Sequence, residues 1–282
     1  MARTKTEAPR GIVGATTGVD PERFEHQRLL PSPRTAPFVE HHWTVAWQMP
    51  PGATQEAHTL SHPSVHVSLA VGGRVSVTGP TRGRFTWVLA GSGRVVATKF
   101  LPGAFRGLLV RKRMRDLVDA VVDLDAVVDA DVAAVVAGAF AAVDAVGDGV
   151  DAVVDGVDAA WAAVLPAAPP ADQGLLMRIV ARARDDRSLT RVEQLVDDSG
   201  LHIRELQRFC ADALGLSPRW LIRRYRLHDA LAALDAIVDV GEGGQRLADL
   251  AQRLGYADQS HFSRDFKTVV GMSPSSYLRR AR

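Results

Sequence analysis

Residues 255–274 read GYADQSHFSRDFKTVVGMSP, and residues 208–218, RFCADALGLSP, echo the second half of that stretch. At an offset of 56, Arg208 aligns with Arg264, Gly215 with Gly271 and Ser217-Pro218 with Ser273-Pro274; Leu206 meets Phe262. Upstream the offset falls to 55, Gly200 aligning with Gly255, so one turn is a residue longer than the other. Two copies are too few for a solenoid and mark a duplicated supersecondary unit.

In the second copy, Arg246 to Leu254 (RLADLAQRL) sets Leu247, Leu250, Ala251 and Leu254 on one helical face. Gly255 follows where a helix end favours a left-handed residue. Asp258 is placed to cap a further helix, from about Gln259 to Val270. Phe262, Phe266 and Val269 or Val270 point inward there, while Gln259, Ser260, Ser263, Arg264 and Lys267 point outward. Two helices joined by a tight glycine turn make a helix-turn-helix. The first copy repeats the layout over about His202 to Leu214. Arg204, Gln207 and Arg208 face out, and Leu206, Phe209 or Cys210, and Leu214 face in. Arg can pair bidentately with guanine and Gln with adenine, which suits the outward sets to base edges. A lone outward Arg is ordinarily a solvated charge; Arg208 and Arg264 recur at equivalent positions. Ser217-Pro218 starts a helix to about Asp235 that joins the units, and Ser273-Pro274 starts a short terminal one. Arg219, Arg223, Arg224 and Arg226 on the joining helix are expected to include phosphate contacts.

Over residues 178–282 these phrases resemble the DNA-binding domain of the AraC/XylS family: RELQR at 204–208, GLSP at 215–218, GYADQSHF at 255–262, SRDF at 263–266 and GMSPSSY at 271–277. The resemblance implies two recognition helices in adjacent major grooves on one DNA face, about 34 Å apart. Carried over by position, the contacts are Arg204, Gln207 and Arg208 in the first unit and Gln259, Ser260, His261, Ser263 and Arg264 in the second. Cys210 departs from the family's usual aromatic residue, and His202 from its frequent capping Ser. Upstream, PERFEHQ (21–27), PFVEHHWTVAW (37–47), His62-Pro63-Ser64 and KFLPGAF (99–105) resemble the N-terminal domain of a poorly characterised AraC-type subgroup. The implied partners are operator double-stranded DNA, RNA polymerase, a small-molecule effector and a second copy of the chain. No membrane, catalytic residue, metal or cofactor is expected.

The 282 residues suit two domains, with 46% hydrophobic and 23% charged residues. No apolar run approaches the ~20 residues of a membrane span, and Met1–Gly18 has no signal-peptide core. A cytoplasmic, nucleoid-associated protein is the expectation. Arg outnumbers Lys and Ala is abundant, as in a GC-rich bacterial genome. The net charge of +2 is unevenly spread: residues 1–115 carry 16 basic and 6 acidic groups, 116–177 carry 12 Asp and no Lys or Arg, and 178–282 carry 18 basic and 14 acidic groups.

From Trp43 to Phe105 short alternating runs predict strands, with Gly72-Gly73 between two of them as a hairpin signal. From Asp116 to Leu165 recurring Asp-Ala-Val-Val-Asp phrases predict amphipathic helices with a solvated acidic face, interrupted at Gly147, Gly149 and Gly156. A sharper alternative has this segment mimic DNA and dock on the basic domain. The expected class is α+β: a small N-terminal β-barrel or sandwich-like domain, a helical acidic connector and an all-α C-terminal domain with two helix-turn-helix units joined by a long helix. The expected bounds are a disordered tail over 1–19, a β-rich sensor or dimerisation domain over 20–110, the acidic segment with a Pro linker over 111–172 and the DNA-binding domain over 173–282.

His58, His62 and His66 would make a metal face on a helix. Pro63 and the alternation of Val65, Val67 and Leu69 place them instead on a strand entered from a loop, where imidazoles do not converge. Structural histidines are expected; a cupin-like site with His41, His42 and Glu40 is the sharper alternative. Cys210 is expected as a small buried hydrophobe rather than a redox switch. Trp43, Trp47 and Trp87 are expected in the core rather than in a ligand pocket. The competing function is an enzyme with an accessory DNA-binding domain, either a cupin-like metal oxygenase or a DNA-repair alkyltransferase.

Overall fold

A computed structural model describes residues 12–13, 24–70, 72–141, 149–240 and 246–280. Its strands are β1 (Ile12–Val13), β2 (Phe24–Leu29), β3 (Val39–Gln48), β4 (Thr54–Thr59), β5 (His66–Ala70), β6 (Ser76–Thr78), β7 (Phe85–Ala90), β8 (Ser92–Phe100) and β9 (Val121–Asp123). They form two sheets, of order β1-β4-β7 and β2-β3-β8-β5-β6-β9, with antiparallel pairing throughout. The class is the expected α+β. Most of the tail expected to be disordered lies outside the described residues; Ile12–Val13 pair with Thr59 and His58.

The Gly72-Gly73 hairpin is present: β5 and β6 pair Ser68 with Ser76, and Gly72 has φ +73°. Strand alternation gives the larger sheet two unlike faces. Leu29, Val39, Val67, Leu69, Val77, Val96 and Phe100 point to one side, into the main apolar core. The alternate residues, among them His26, Arg28, Trp43, His66, Ser68 and Lys99, line a cavity on the other side. An irregularity between Val39 and His41 in the β3–β8 register lets Val39 face the core and His41 the cavity.

The acidic segment covers the apolar face. It comprises α1 (Met114–Leu117), β9, α2 (Ala130–Ala141) and α3 (Val150–Val164). Val136, Phe140, Val154, Val157 and Trp161 share one core with the sheet. The helical expectation fails at Val121–Asp123, which extend the sheet by pairing with β6, because apolar Val121-Val122 fits a strand edge as well as a helix. Gly149 sits just before α3, Gly156 lies inside it without breaking it, and Gly147 is outside the described residues. The Asp run is also not wholly solvated. Asp158 is 2% exposed. Its Oδ1 accepts from the Thr35 hydroxyl, the Ser32 amide (3.3 Å) and His42 Nε2 (2.9 Å). His42 Nδ1 meets Thr98 Oγ1 at 3.0 Å, and Trp161 Nε1 donates to the same hydroxyl at 3.0 Å. With every buried polar group partnered, this network pins α3 to the sheet. In the segment, α2 and α3 pack on the N-terminal sheet, while α1 and Val118 sit against the end of a C-terminal helix, α6 (Ile203–Leu214).

The C-terminal part contains α4 (Gln173–Asp185), α5 (Val192–Ser199), α6 (Ile203–Leu214), α7 (Pro218–Val240), α8 (Arg246–Arg253), α9 (Gln259–Val270) and α10 (Pro274–Arg280). Ser217 Oγ accepts from the Trp220 amide and Ser273 Oγ from the Ser276 amide, so both Ser-Pro starts cap as expected. α7 runs five residues beyond the expected end. Its first half packs Leu221, Ile222 and Tyr225 with the first unit. Its second half packs Leu227, Leu231 and Leu234 with the second.

Candidate nucleic-acid interface

α5 and α6 form the first helix-turn-helix, and α8 and α9 the second. Gly200 and Gly255, with φ of +70° and +72°, close the two turns. A Cβ on Gly255 would stand 2.6 Å from Thr190 Cγ2, so the site excludes larger residues on space as well as on φ. Asp258 accepts from the His261 amide at 2.7 Å and starts α9 where expected. His202 starts α6 without a side-chain cap; Glu205 reaches back to its amide at 2.9 Å. Half of a capping box is thus in place.

The inward residues are Leu206, Cys210 and Leu214 in α6 and Phe262, Phe266, Val269 and Val270 in α9, all buried. Cys210 occupies the place of Phe266. Burial pushes its thiol up to about 12, so it offers neither a thiolate nor access.

The outward residues stand clear of the protein. Arg204, Gln207 and Arg208 on α6 are exposed, as are Gln259, Ser260, His261 and Arg264 on α9; Ser263 is half-buried. Among the described residues no ion pair engages Arg204, Arg208 or Arg264. His261 lies edge-on to Tyr256 at 5.3 Å, which limits its range.

The arginines of α7 divide between the fold and the surface. Arg223 grips Asp265 of α9 with two nitrogens, at 2.9 and 2.7 Å. Tyr256 OH donates to the same carboxylate at 3.2 Å. Arg226 lies 4.0 Å over the Tyr256 ring and donates to the Leu254 carbonyl at 2.7 Å. Arg224 is 2% exposed, and its Nη2 donates to the carbonyls of Thr81, Arg82 and Gly83 at 2.7, 2.7 and 3.0 Å. Burial, and then Arg223, bring its pKa down to about 10. Among the described residues Arg219 alone of the four keeps an exposed position without such a partner. Nothing in the spacing of the arginines separated those that hold the fold from those that face solvent.

The N-terminal histidines go to separate partners. His58 Nδ1 meets Thr86 Oγ1 at 3.0 Å, His62 stacks on His228 at 4.6 Å, and His66 Nδ1 accepts from Trp43 Nε1 at 3.1 Å. Among the described residues no group of three His, Cys, Asp or Glu could hold a metal. Trp43, Trp47 and Trp87, expected in the core, all line the cavity between the sheets, whose volume is about 220 Å³. Among the described residues no helix is long and apolar enough to cross a membrane.

Two exposed recognition helices mounted on one connecting helix define a double helix-turn-helix DNA-binding domain. Residues 195–280 match a family model described as a helix-turn-helix domain, and residues 27–123 match a domain of unknown function, DUF6597. Invasion protein InvF of Salmonella typhi and its Salmonella typhimurium counterpart are each 31% identical over 83 residues, covering 29% of this chain and 36% of theirs. The chain thus spans about a third of the length of these curated relatives. A probable AraC family transcriptional regulator from Rhodopseudomonas palustris is 25% identical over 38% of this chain and 94% of its own, with a TM-score of 0.30. ToxT from Vibrio cholerae is 14% identical over 85% of this chain and 98% of its own, with a TM-score of 0.41. The last third of the chain is thus similar to helix-turn-helix domains.

Proposed function

We propose that this protein is a sequence-specific DNA-binding transcription regulator that lays α6 and α9 in two adjacent major grooves. One observation carries this: Arg208 and Arg264 stand at equivalent positions of a duplicated unit, both exposed and both outside any ion pair among the described residues. The 23 residues of α7 span about 34 Å at 1.5 Å per residue. A rigid mount of that size suits a spacing of one DNA turn. Base contacts are assigned to Arg204, Gln207 and Arg208, and to Gln259, Ser260, His261, Ser263 and Arg264, with Arg219 on phosphate. The N-terminal domain is assigned to a small-molecule effector and to pairing with a second copy. RNA polymerase is the further partner, and the site of action is the nucleoid.

The test is genome-wide binding of purified protein to fragmented host DNA, beside an Arg208→Ala/Arg264→Ala double variant. A motif spanning two successive major grooves, lost in the variant, is expected. Equal binding of both proteins to random DNA overturns the assignment of base reading.

A further inference from the structure

Two segments of the N-terminal half reach the DNA-binding half. One is the β6–β7 connection, residues 79–84 (GPTRGR); the other runs through α1 to the start of β9, residues 114–120 (MRDLVDA). They are also bonded to each other. The Gly79 amide donates to the Ala120 carbonyl at 3.1 Å, and the Asp119 amide to the Pro80 carbonyl at 3.0 Å. A Cβ on Gly79 would overlap the Leu117 carbonyl oxygen, so the two backbones touch with no side chain between them. Asp119 has φ +60°, the only positive φ outside glycine among the described residues. Asp and Asn tolerate that conformation better than other L residues. In it, Asp119 Oδ1 accepts from the Arg82 amide at 2.6 Å. The exposed Arg82–Asp119 ion pair adds little to this bond.

The joined segments hold three helices. At one end, a Cβ on Gly215, the left-handed residue that closes α6, would stand 2.7 Å from the Met114 carbonyl oxygen and 2.7 Å from Val118 Cγ2. In the middle, the carbonyls of Thr81, Arg82 and Gly83 accept from Arg224 of α7. At the other end, Arg84 Nη1 donates to the Val270 carbonyl at 2.9 Å. A Cβ on Gly271, the left-handed residue that closes α9, would stand 2.9 Å from Arg84 Cζ. One brace thus reaches the same place on both recognition helices, the C-terminal cap, and also the helix that joins them. α7 by itself is a weaker guarantee of their relation. Its halves belong to two cores that share no side chain among the described residues, and long helices bend. Contacts off the axis of α7 are what resist a twist of one unit against the other.

We propose that residues 79–84 and 114–120 fix the distance and twist between α6 and α9, and with them the half-site spacing that the protein accepts, Arg84 being the positioning residue for α9. The inference rests on the reading of α6 and α9 as paired recognition helices. One added base pair moves a half-site by ~3.4 Å and turns it by about 35°, a change that a braced pair does not follow.

The test uses the full chain and DNA that the wild-type protein selects from a random pool. Competition binding compares the selected site with versions carrying one or two base pairs inserted or removed between its half-sites. Wild-type protein is expected to lose tenfold or more for each one-base-pair change. Arg84→Met, which frees the Val270 carbonyl, is expected to bind the selected spacing more weakly and to cut that penalty to threefold or less, with base choice inside each half-site unchanged. Arg84→Lys, which still reaches the carbonyl, keeps most of the penalty. Asp119→Gly keeps the positive φ and loses the carboxylate, so it lowers the penalty in part; Asp119→Asn keeps both φ and acceptor and leaves the penalty in place. Asp119 is exposed, so this pair supplies the readout if Arg84→Met fails to fold. Loss of stability alone weakens binding by one factor at every spacing, and such a parallel fall overturns the proposal. Wild-type protein that already tolerates the altered spacings overturns it too. A two-part motif whose spacing penalty survives every variant sinks this inference and leaves the regulator standing; selection of no two-part motif by wild-type protein removes both.

Discussion

The two helix-turn-helix units share a backbone plan and differ in what holds them. The second has aromatic Phe262 and Phe266 in its core, a side-chain cap from Asp258, small Ala251 in the core near the turn and a network of Arg223, Asp265, Tyr256 and Arg226. The first has Cys210 in place of Phe266, half-buried Val196 in place of Ala251 and no side-chain cap at His202. It leans on α1 of the N-terminal part. Gly215 would bring a Cβ within 2.7 Å of the Met114 carbonyl, so α1 sits directly against the end of α6, and Val118 packs on its core. Both units touch the N-terminal domain, the second through Leu60 and Arg84, but among the described residues only the second adds an aromatic core and a polar network of its own. A duplicated motif can keep its geometry while the source of its stability moves.

The largest expected contrast is in the cores. Phe266→Ala should cost about 3–5 kcal/mol in denaturant unfolding, because a fully buried ring leaves a cavity. Cys210→Ala at the equivalent position should cost about 1 kcal/mol; equal losses would erase the contrast. On DNA the two units should look alike. Arg208→Ala and Arg264→Ala should each weaken specific binding by ~1–3 kcal/mol and relax base choice at one position, as read by competition binding.

A pH scan probes the footing of the first unit. His41 and His66 stay neutral in the fold down to about 2 and about 3, whereas in the unfolded chain they take a proton below about 6.5. The unfolded state then binds more protons, so stability falls as pH drops from 6.5 toward 3. The slope per histidine is on the order of 1 kcal/mol per pH unit. His66→Gln should flatten the curve of melting temperature against pH; an unchanged slope would count against a neutral His66. The smallest effects are at the caps. Asp258→Ala should cost about 1 kcal/mol, and His202→Ser should gain about 0.5–1 kcal/mol by completing a capping box with Glu205.

The helical half was legible because its signals are local. Asp258, Gly255 and Gly271 mark α9 and its turn to within a residue. β4 was not legible: Thr54–Thr59 face a cavity and a half-exposed surface, so TQEAHT shows no apolar alternation. Val121-Val122 lay inside an Asp-Val phrase that suits a helix equally well, and only pairing with β6 decides it. Asp158 reads like any other Asp of its run; its buried role depends on His42, Thr98 and Thr35, all far away in sequence. The tryptophans misled for a related reason. A strand residue that alternates inward can meet a void as readily as a core.

Arg224 holds three successive backbone carbonyls and no side chain of the loop it grips. Such a joint is indifferent to the identity of residues 81–83 and sensitive only to their path. The loop can change its chemistry freely, and with it the mouth of the neighbouring cavity, without loosening the socket for α7. A chain built this way can vary the lining of one half while the mount of the other stays fixed.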